Sequence, residues 1–188
     1  MKNIYMITDS IKNDIKANLS PDRYKHTENV ICEAVKLAEK NGADVEKARF
    51  VALVHDRFRD VDDRTLNELI IKYKLDSRYM NNNALAHGLL AAEYYKDKFG
   101  IVDAEVLDSV KYHTTGRYGM GVLEKIIFLA DAIEKDRCYD GVEDIRKEAA
   151  KGLDNGVKAS LESTVNYLRK CGQHIDKNTL EAIKYMEV

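Results

Sequence analysis

Apolar residues recur along this chain at spacings of three and four, the pattern of helices that bury one face. Ile4, Ile7, Ile11 and Ile15 share such a face and predict a first amphipathic helix from Ile4 to Leu19. Ser20-Pro21-Asp22 then reads as a cap, a proline at the first helical position and an acidic first turn. The helix it opens carries His26, Val30, Ala34, Leu37 and Ala38 and stops at Gly42. Asp44 caps the next, Val45 to His55. Its second half, Phe50-Val51-Ala52-Leu53-Val54, is apolar nearly all round and predicts a central place in the fold. Asp62 or Asp63 opens a helix bearing Leu66, Leu69, Ile70 and Tyr73. After Asn81-Asn82-Asn83 another runs from about Ala84 through His87 to Gly100, and Asp103 caps a shorter one ending at Tyr112-His113. Helices from Val122 to Glu134, Val142 to Ala150 and Leu153 to Cys171 follow, with a last short one after Asp176. A single proline agrees with an all-α protein. No repeat, low-complexity tract or linker divides the chain, so the expectation is one helical domain over residues 1–188.

A chain of 188 residues buries a sizeable core without disulfides or structural metals. Cys32, Cys138 and Cys171 are odd in number and far apart, forming neither a disulfide framework nor a C-x-x-C pair, which fits a reducing cytoplasm. Lys+Arg number 30 and Asp+Glu 32, a formal charge of -2, so the basic field of a nucleic-acid binder is missing. No apolar run approaches the roughly 20 residues of a membrane span, and Met1 to Met6 lack the apolar core of a signal peptide. A cytoplasmic protein with neither nucleic-acid nor membrane partners is expected, and a homodimer stays open.

Two apolar runs end in charge. Phe50 to Val54 runs into His55-Asp56, and Ile126-Ile127-Phe128-Leu129-Ala130 runs into Asp131. An unpaired buried carboxylate is very costly, so each needs water or a strong positive partner. An HD dipeptide alone is expected by chance in about half of chains with this composition. The order His26, His55-Asp56, His87, His113, Asp131 carries more, because each lies on or at the end of a different predicted helix and a bundle can aim all of them at one interior point. Six such groups exceed one tetrahedral zinc and suit two first-row divalent ions sharing a bridging carboxylate and a bridging water, with Asp56 the natural bridge. Two carboxylates against two dications leave surplus positive charge, which attracts phosphates and acidifies a bound water. Taken singly, His26 and His87 also read as boundary residues of amphipathic helices, and Asp131 as a helix-terminal residue bonded to a neighbouring arginine.

His26, His55-Asp56 and Asp131 resemble the H…HD…D pattern of HD-superfamily metal-dependent phosphohydrolases, and His87 and His113 match its dinuclear branch. Arg23-x-x-His26, Leu53-Val54-His55-Asp56, Ala86-His87-Gly88, His113-Thr114-Thr115-Gly116, Ala130-Asp131-Ala132-Ile133-Glu134-x-x-Arg137 and Val142-Glu143-x-x-Arg146 look like the YqeK family, from about Pro21 to the C-terminus. That resemblance implies an all-helical, cytosolic HD-type domain that splits diadenosine tetraphosphate (Ap4A) into two ADP at a dinuclear centre of two divalent ions. Iron is the metal implied, with manganese and cobalt as alternatives. By the same resemblance His26, His55, Asp56 and Asp131 hold one ion, and Asp56, His87 and His113 the other. Where the family usually has a phosphate-contacting lysine three residues after the HD aspartate, this chain has Arg59, which keeps the charge but changes its shape. Asp56 and Arg59 are thus the expected catalytic residues.

Arg23, one turn before His26, is positioned to reach a phosphate, although a surface ion pair is the competing role. Arg137 and Lys125 flank Asp131 and are candidates for holding the polyphosphate, with a solvated surface position as the competing role. Thr114, Thr115 and Gly116 are expected to contact phosphate, and the glycine-rich stretch from Gly116 to Gly121 to form a pocket wall. Tyr112, Tyr118 and Phe128 are candidates for stacking on a base, or core residues. Two other readings remain: an HD-type nucleotidase or phosphodiesterase acting on mononucleotides or cyclic nucleotides, and a non-catalytic metal-bound nucleotide sensor.

Overall fold

A computed structural model of the chain describes residues 9–186. Among the described residues ten α-helices form and no strand. The first, α1, spans Asp9–Asn18 and buries Ile11 and Ile15; Ile4 and Ile7 lie outside the described residues. Next come α2 (Pro21–Asn41), α3 (Val45–Val54), α4 (Asp63–Lys72), α5 (Asn83–Phe99) and α6 (Ala104–Lys111). The last four are α7 (Val122–Ile133), α8 (Val142–Lys151), α9 (Leu153–Lys170) and α10 (Lys177–Met186).

The helix starts follow from side-chain capping. Ser20, Asp44, Asp62, Asn82 and Asp103 each accept from a backbone N–H of the first turn, which has no partner inside its own helix. Gly42 closes α2 at φ 66, a left-handed conformation that glycine adopts without steric cost. A 3-10 turn at Ser77–Tyr79 lies between α4 and α5; three residues are too few to write a period into the sequence.

α3 and α7 form the centre. Phe50 to Val54 and Ile126 to Ala130 are all buried. α3 packs on α1, α2, α6 and α7, while α7 packs on α2, α6, α8 and α9, so the all-round apolar surface of each finds neighbours on every side. The two central helices thereby deliver their polar C-terminal residues to the interior. On the far side of α7 the α8–α9 pair closes the core at Gly156, where an added Cβ would come within 2.8 Å of both Ala149 Cβ and Leu129 Cδ2. Overpacking of this kind costs about 1–3 kcal/mol. Gly156→Ala is therefore expected to lower the urea midpoint by that order, and an unchanged midpoint would show that α8 and α9 do not need this close approach.

Candidate metal centre

His26 comes from the N-terminal part of α2, His55 and Asp56 from the end of α3, His87 from α5, His113 from just beyond α6, and Asp131 from the last turn of α7. The chain leaves α3 through tight turns, with Arg57 N donating to Val54 O and Arg59 N to Asp56 O. These turns put both the imidazole and the carboxylate of the HD pair into the interior, His55 wholly buried and Asp56 nearly so.

Asp56 sits in the middle with its two oxygens facing different groups. Oδ2 lies 3.5 Å from His55 Nε2 and 3.7 Å from His26 Nε2, whereas Oδ1 lies 3.2 Å from His87 Nε2 and 3.7 Å from His113 Nε2. Asp131 Oδ1 is 2.9 Å from His26 Nε2. Two overlapping clusters result, with ligand atoms within 4.8 Å of one another: His26, His55 and Asp131, and His55, Asp56 and His113.

The imidazoles are all held from behind. Nδ1 of His55 donates to Ala52 O (2.7 Å), that of His87 to Asn83 O (2.8 Å), and that of His113 to Val110 O (2.7 Å). Nδ1 of His26 lies 3.1 Å from the buried carboxylate of Glu134. A carbonyl or an ionised carboxylate only accepts, so each Nδ1 carries a proton and each ring turns its Nε2 inward. His55 Nε2 is buried with no hydrogen-bond partner, and His26 Nε2 meets Asp131 without hydrogen-bond geometry. His87 Nε2 and His113 Nε2 stand 2.9 Å apart. Buried polar atoms are normally paired, so this inward array fits a cation held between the rings.

Charge agrees with that reading. Burial pushes the Asp56 carboxyl up, but the His55 charge and hydrogen bonds from surrounding imidazoles hold it well below the usual range. Burial also opposes ionisation of Asp131, yet the His26 contact and the Arg137 charge hold it far below. Burial draws His55 down too, but the Asp56 charge overrides this and raises it, while His113 is lowered chiefly by burial. Two carboxylates held ionised amid inward imidazole nitrogens supply the mixed donor set that first-row divalent metals prefer.

The expected substrate contacts divide. Arg23 Nη1 donates to Asp56 Oδ2 (3.0 Å), so it is no surface pair. Arg137 donates to Asp131 through Nη2 (2.7 Å) and to its carbonyl through Nε (2.9 Å). Thr114 Oγ1 lies 3.2 Å from His113 Nε2 and 3.3 Å from His87 Nε2, at the centre itself. Arg59 is one step removed, its Nη1 donating to Asn83 Oδ1 (3.1 Å) on the residue whose carbonyl holds His87. Thr115 is buried, donates to Gly116 O (2.8 Å), and accepts at its own carbonyl from Thr179 of α10 (2.9 Å). Lys125 pairs with Asp154 (2.7 Å), and Tyr118 packs edge-on against Tyr185.

A cleft of about 1000 Å³ adjoins the centre, lined at that end by His113, Thr114, Phe128, Asp131 and Arg137, and continuing between α8 and α9. None of the residues from Gly116 to Gly121 lines it. Gly116 instead sits against Met120 and Ala182, and Arg117 is spent on Glu124 (2.6 Å), so the loop expected as a pocket wall packs at its Gly116 end and leaves Tyr118 and Gly121 exposed outside this cleft. Three supporting residues carried no role in the sequence reading. Glu134 backs His26; Arg146 pins the turn after α7 by donating to Ile133 O, Glu134 O and Arg137 O; and Gly88 leaves room for His113, since an added Cβ would lie 2.8 Å from Val110 O and 3.0 Å from His113 Nδ1. The Glu134 and Arg146 signal was present in the long motif after Asp131; the Gly88 signal was its place directly after His87.

A helical bundle whose core admits four inward imidazoles and two carboxylates is a protein of the HD class. Residues 23–136 match the family model described as HD domain, a span containing all six site residues. The chain is 40% identical over 171 residues to the symmetrical bis(5'-nucleosyl)-tetraphosphatase of Halalkalibacterium halodurans, covering 88% of this chain and 89% of that protein. It is 34% identical over 166 residues to the Bacillus subtilis protein of the same description, again covering 88% and 89%. Among solved structures, a Clostridium acetobutylicum protein described as a predicted HD superfamily hydrolase involved in NAD metabolism superposes with a TM-score of 0.88 at 36% identity, covering 95% of this chain and 96% of that one. The chain belongs to the YqeK family of HD-domain proteins.

A carboxylate behind a metal-bound histidine fixes the ring and raises its basicity, and losing one typically weakens metal affinity about 10–100-fold. Glu134→Gln is expected to weaken metal held through His26 by that order while leaving helicity intact. Competition with a chelator, followed by elemental analysis, reads this directly; unchanged metal retention would mean that His26 needs no such support.

Proposed function

We propose that this chain hydrolyses bis(5'-nucleosyl)-tetraphosphates symmetrically, Ap4A to two ADP, at a centre of two divalent ions. The observation that carries the reading is Asp56, whose two oxygens face two separate sets of inward imidazole nitrogens. Relatives described by that activity match nearly the whole chain, which supports its transfer. His26, His55, Asp56 and Asp131 would hold one ion, and Asp56, His87 and His113 the other. Iron is the proposed metal and the cytoplasm the proposed compartment; among the described residues no helix is long and apolar enough to cross a membrane. Bound there, the two ions supply Lewis acidity at a phosphoryl oxygen and acidify water.

The chain's own residues bind and orient. Arg23 and Arg137, now paired with the two site carboxylates, retain N–H groups for phosphate oxygens, as planar guanidinium forks permit. The Thr114 hydroxyl, beside His87 and His113, can donate to the same phosphates. Arg59 is assigned a phosphate farther along the chain of four, from its place beside Asn83. Arg23, Arg137 and Thr114 would hold one phosphate beside the centre, so the distance from there to the nucleoside would decide which bond is cut. One nucleoside diphosphate unit between them gives ADP on both sides.

Two measurements test this. Purified Asp56→Ala should lose metal and turnover together; a full metal complement with near-normal rate would overturn the shared-carboxylate assignment. Products formed from Ap4A by the iron- or cobalt-loaded protein should be ADP alone, whereas AMP with ATP, or hydrolysis of a mononucleotide but not of Ap4A, would overturn the reading.

A further inference from the structure

The segment after α6 delivers two groups to the centre, the His113 ring and the Thr114 hydroxyl, and they are held in different ways. His113 is fixed by its own helix end, through Nδ1 on Val110 O (2.7 Å). Thr114 lies beyond the last turn of α6, yet its Oγ1 stands 3.2 Å from His113 Nε2 and 3.3 Å from His87 Nε2. A group carried on a loop is placed less sharply than one on a helix, so this position needs outside support.

That support comes from the C-terminal helix. Thr179 Oγ1 of α10 donates to Thr115 O (2.9 Å), the carbonyl of the residue directly after Thr114, and both threonines are buried. Three residues on, Ala182 is fully buried against Gly116, where an added Cβ would come within 3.3 Å of the alanine Cβ. Three more residues on, Tyr185 meets the Tyr118 ring edge-on, with centroids 4.8 Å apart. Residues three apart are neighbours on a helix surface, so one slanted stripe of α10 runs alongside residues 115, 116 and 118.

Both sides of this contact are rigid. Within the loop, Gly116 N donates to Tyr112 O and Thr115 Oγ1 to Gly116 O, each at 2.8 Å. On the other side, the buried Asp176 carboxylate caps α10 by accepting from Asn178 N (2.8 Å), and α10 packs on α9. The Thr179 bond also satisfies a carbonyl that no helix serves, which makes it costly to leave unmade.

From this arrangement we infer that α10 splints the loop after α6 and that Thr179 is a positioning residue for Thr114. The Thr179 hydroxyl itself stays away from substrate. It fixes the backbone from which Thr114 reaches a phosphate oxygen at the centre. The inference deepens the proposed function and rests on it for the phosphate that Thr114 contacts.

The test is equilibrium binding of inorganic pyrophosphate to the metal-loaded wild-type protein and to Thr179→Val, Thr179→Ser, Tyr185→Ala and Thr114→Val, with bound metal and urea midpoint measured alongside. Thr179→Val keeps nearly the same shape but loses the donor. It should weaken pyrophosphate by about fivefold, the order of one misplaced neutral hydrogen bond, at unchanged metal content. Thr179→Ser, which keeps the hydroxyl, should restore wild-type binding. Made in the Thr114→Val background, Thr179→Val should add no further loss, because its effect passes through the hydroxyl already removed, whereas a general loosening of the fold would add in both backgrounds. If Thr179→Val does not fold, Tyr185→Ala at the exposed end of the stripe decides by the same comparison, with a loss of about twofold in the wild type and none in Thr114→Val. Unchanged affinity in folded Thr179→Val, or an equal further loss in the Thr114→Val background, overturns the splint. Wild-type protein that binds pyrophosphate without cleaving Ap4A removes the tetraphosphatase function and leaves the positioning role to stand on binding, whereas protein that binds no pyrophosphate overturns both.

Discussion

The fold is organised around one constraint: four imidazole rings must turn the same nitrogen, Nε2, toward one buried point. A free histidine has two tautomers and a rotating ring, and burial alone fixes neither. Here the carbonyls of Ala52, Asn83 and Val110 and the carboxylate of Glu134 hold the Nδ1 positions. Three of these acceptors lie only three or four residues before the histidine they orient, so the helices supply them locally. Only His26, in the N-terminal part of α2, takes a partner from elsewhere, and Glu134 reaches it from the end of α7. That exception explains why the turn after α7 is so heavily tied, by Arg146 to three carbonyls and by Asn29 and Lys25 to Asp136.

The HD turn is braced in a different way. Arg57, directly after Asp56, is buried and grips Asp14 of α1 through two bonds (2.7 and 3.1 Å), while Tyr94 donates to the same carboxylate (3.2 Å). A buried pair of this kind contributes little net stability, because desolvation offsets attraction. Its geometric effect is larger: it links α1 and α5 to the residue beside the shared carboxylate. Ile11 and Ile15, each worth about 1.5–3 kcal/mol when fully buried, supply the free energy that docks α1 and brings Asp14 into place.

Most of the architecture was legible because its signals are local. The capping residues Ser20, Asp44, Asp62 and Asp103 mark their helices in the sequence, and the apolar runs of α3 and α7 announced both their centrality and their charged ends. The convergence of the six polar residues was legible from their order, since each lies on or at the end of a helix and the helices of one bundle can aim such residues at one interior point. What was not legible depends on partners distant in sequence. Gly116 to Gly121 looked like a ligand loop because glycine reports backbone freedom without reporting what fills the space, and here Met120, Glu124 and Ala182 fill it.

Arg59 shows how a local exchange is absorbed by the surrounding fold. A lysine in its place would offer a single mobile ammonium to a phosphate. The guanidinium instead uses Nη1 on Asn83 Oδ1, and Asn83 also donates to Phe58 O (2.9 Å) and accepts from His87 Nδ1 (2.8 Å). The arginine therefore joins the HD turn, the start of α5 and the backing of His87 in one hydrogen-bonded chain, while its remaining N–H groups are free to point elsewhere. A compact point charge could make the phosphate contact but not that bridge as well, because its three donors lack the fixed planar spread of a guanidinium.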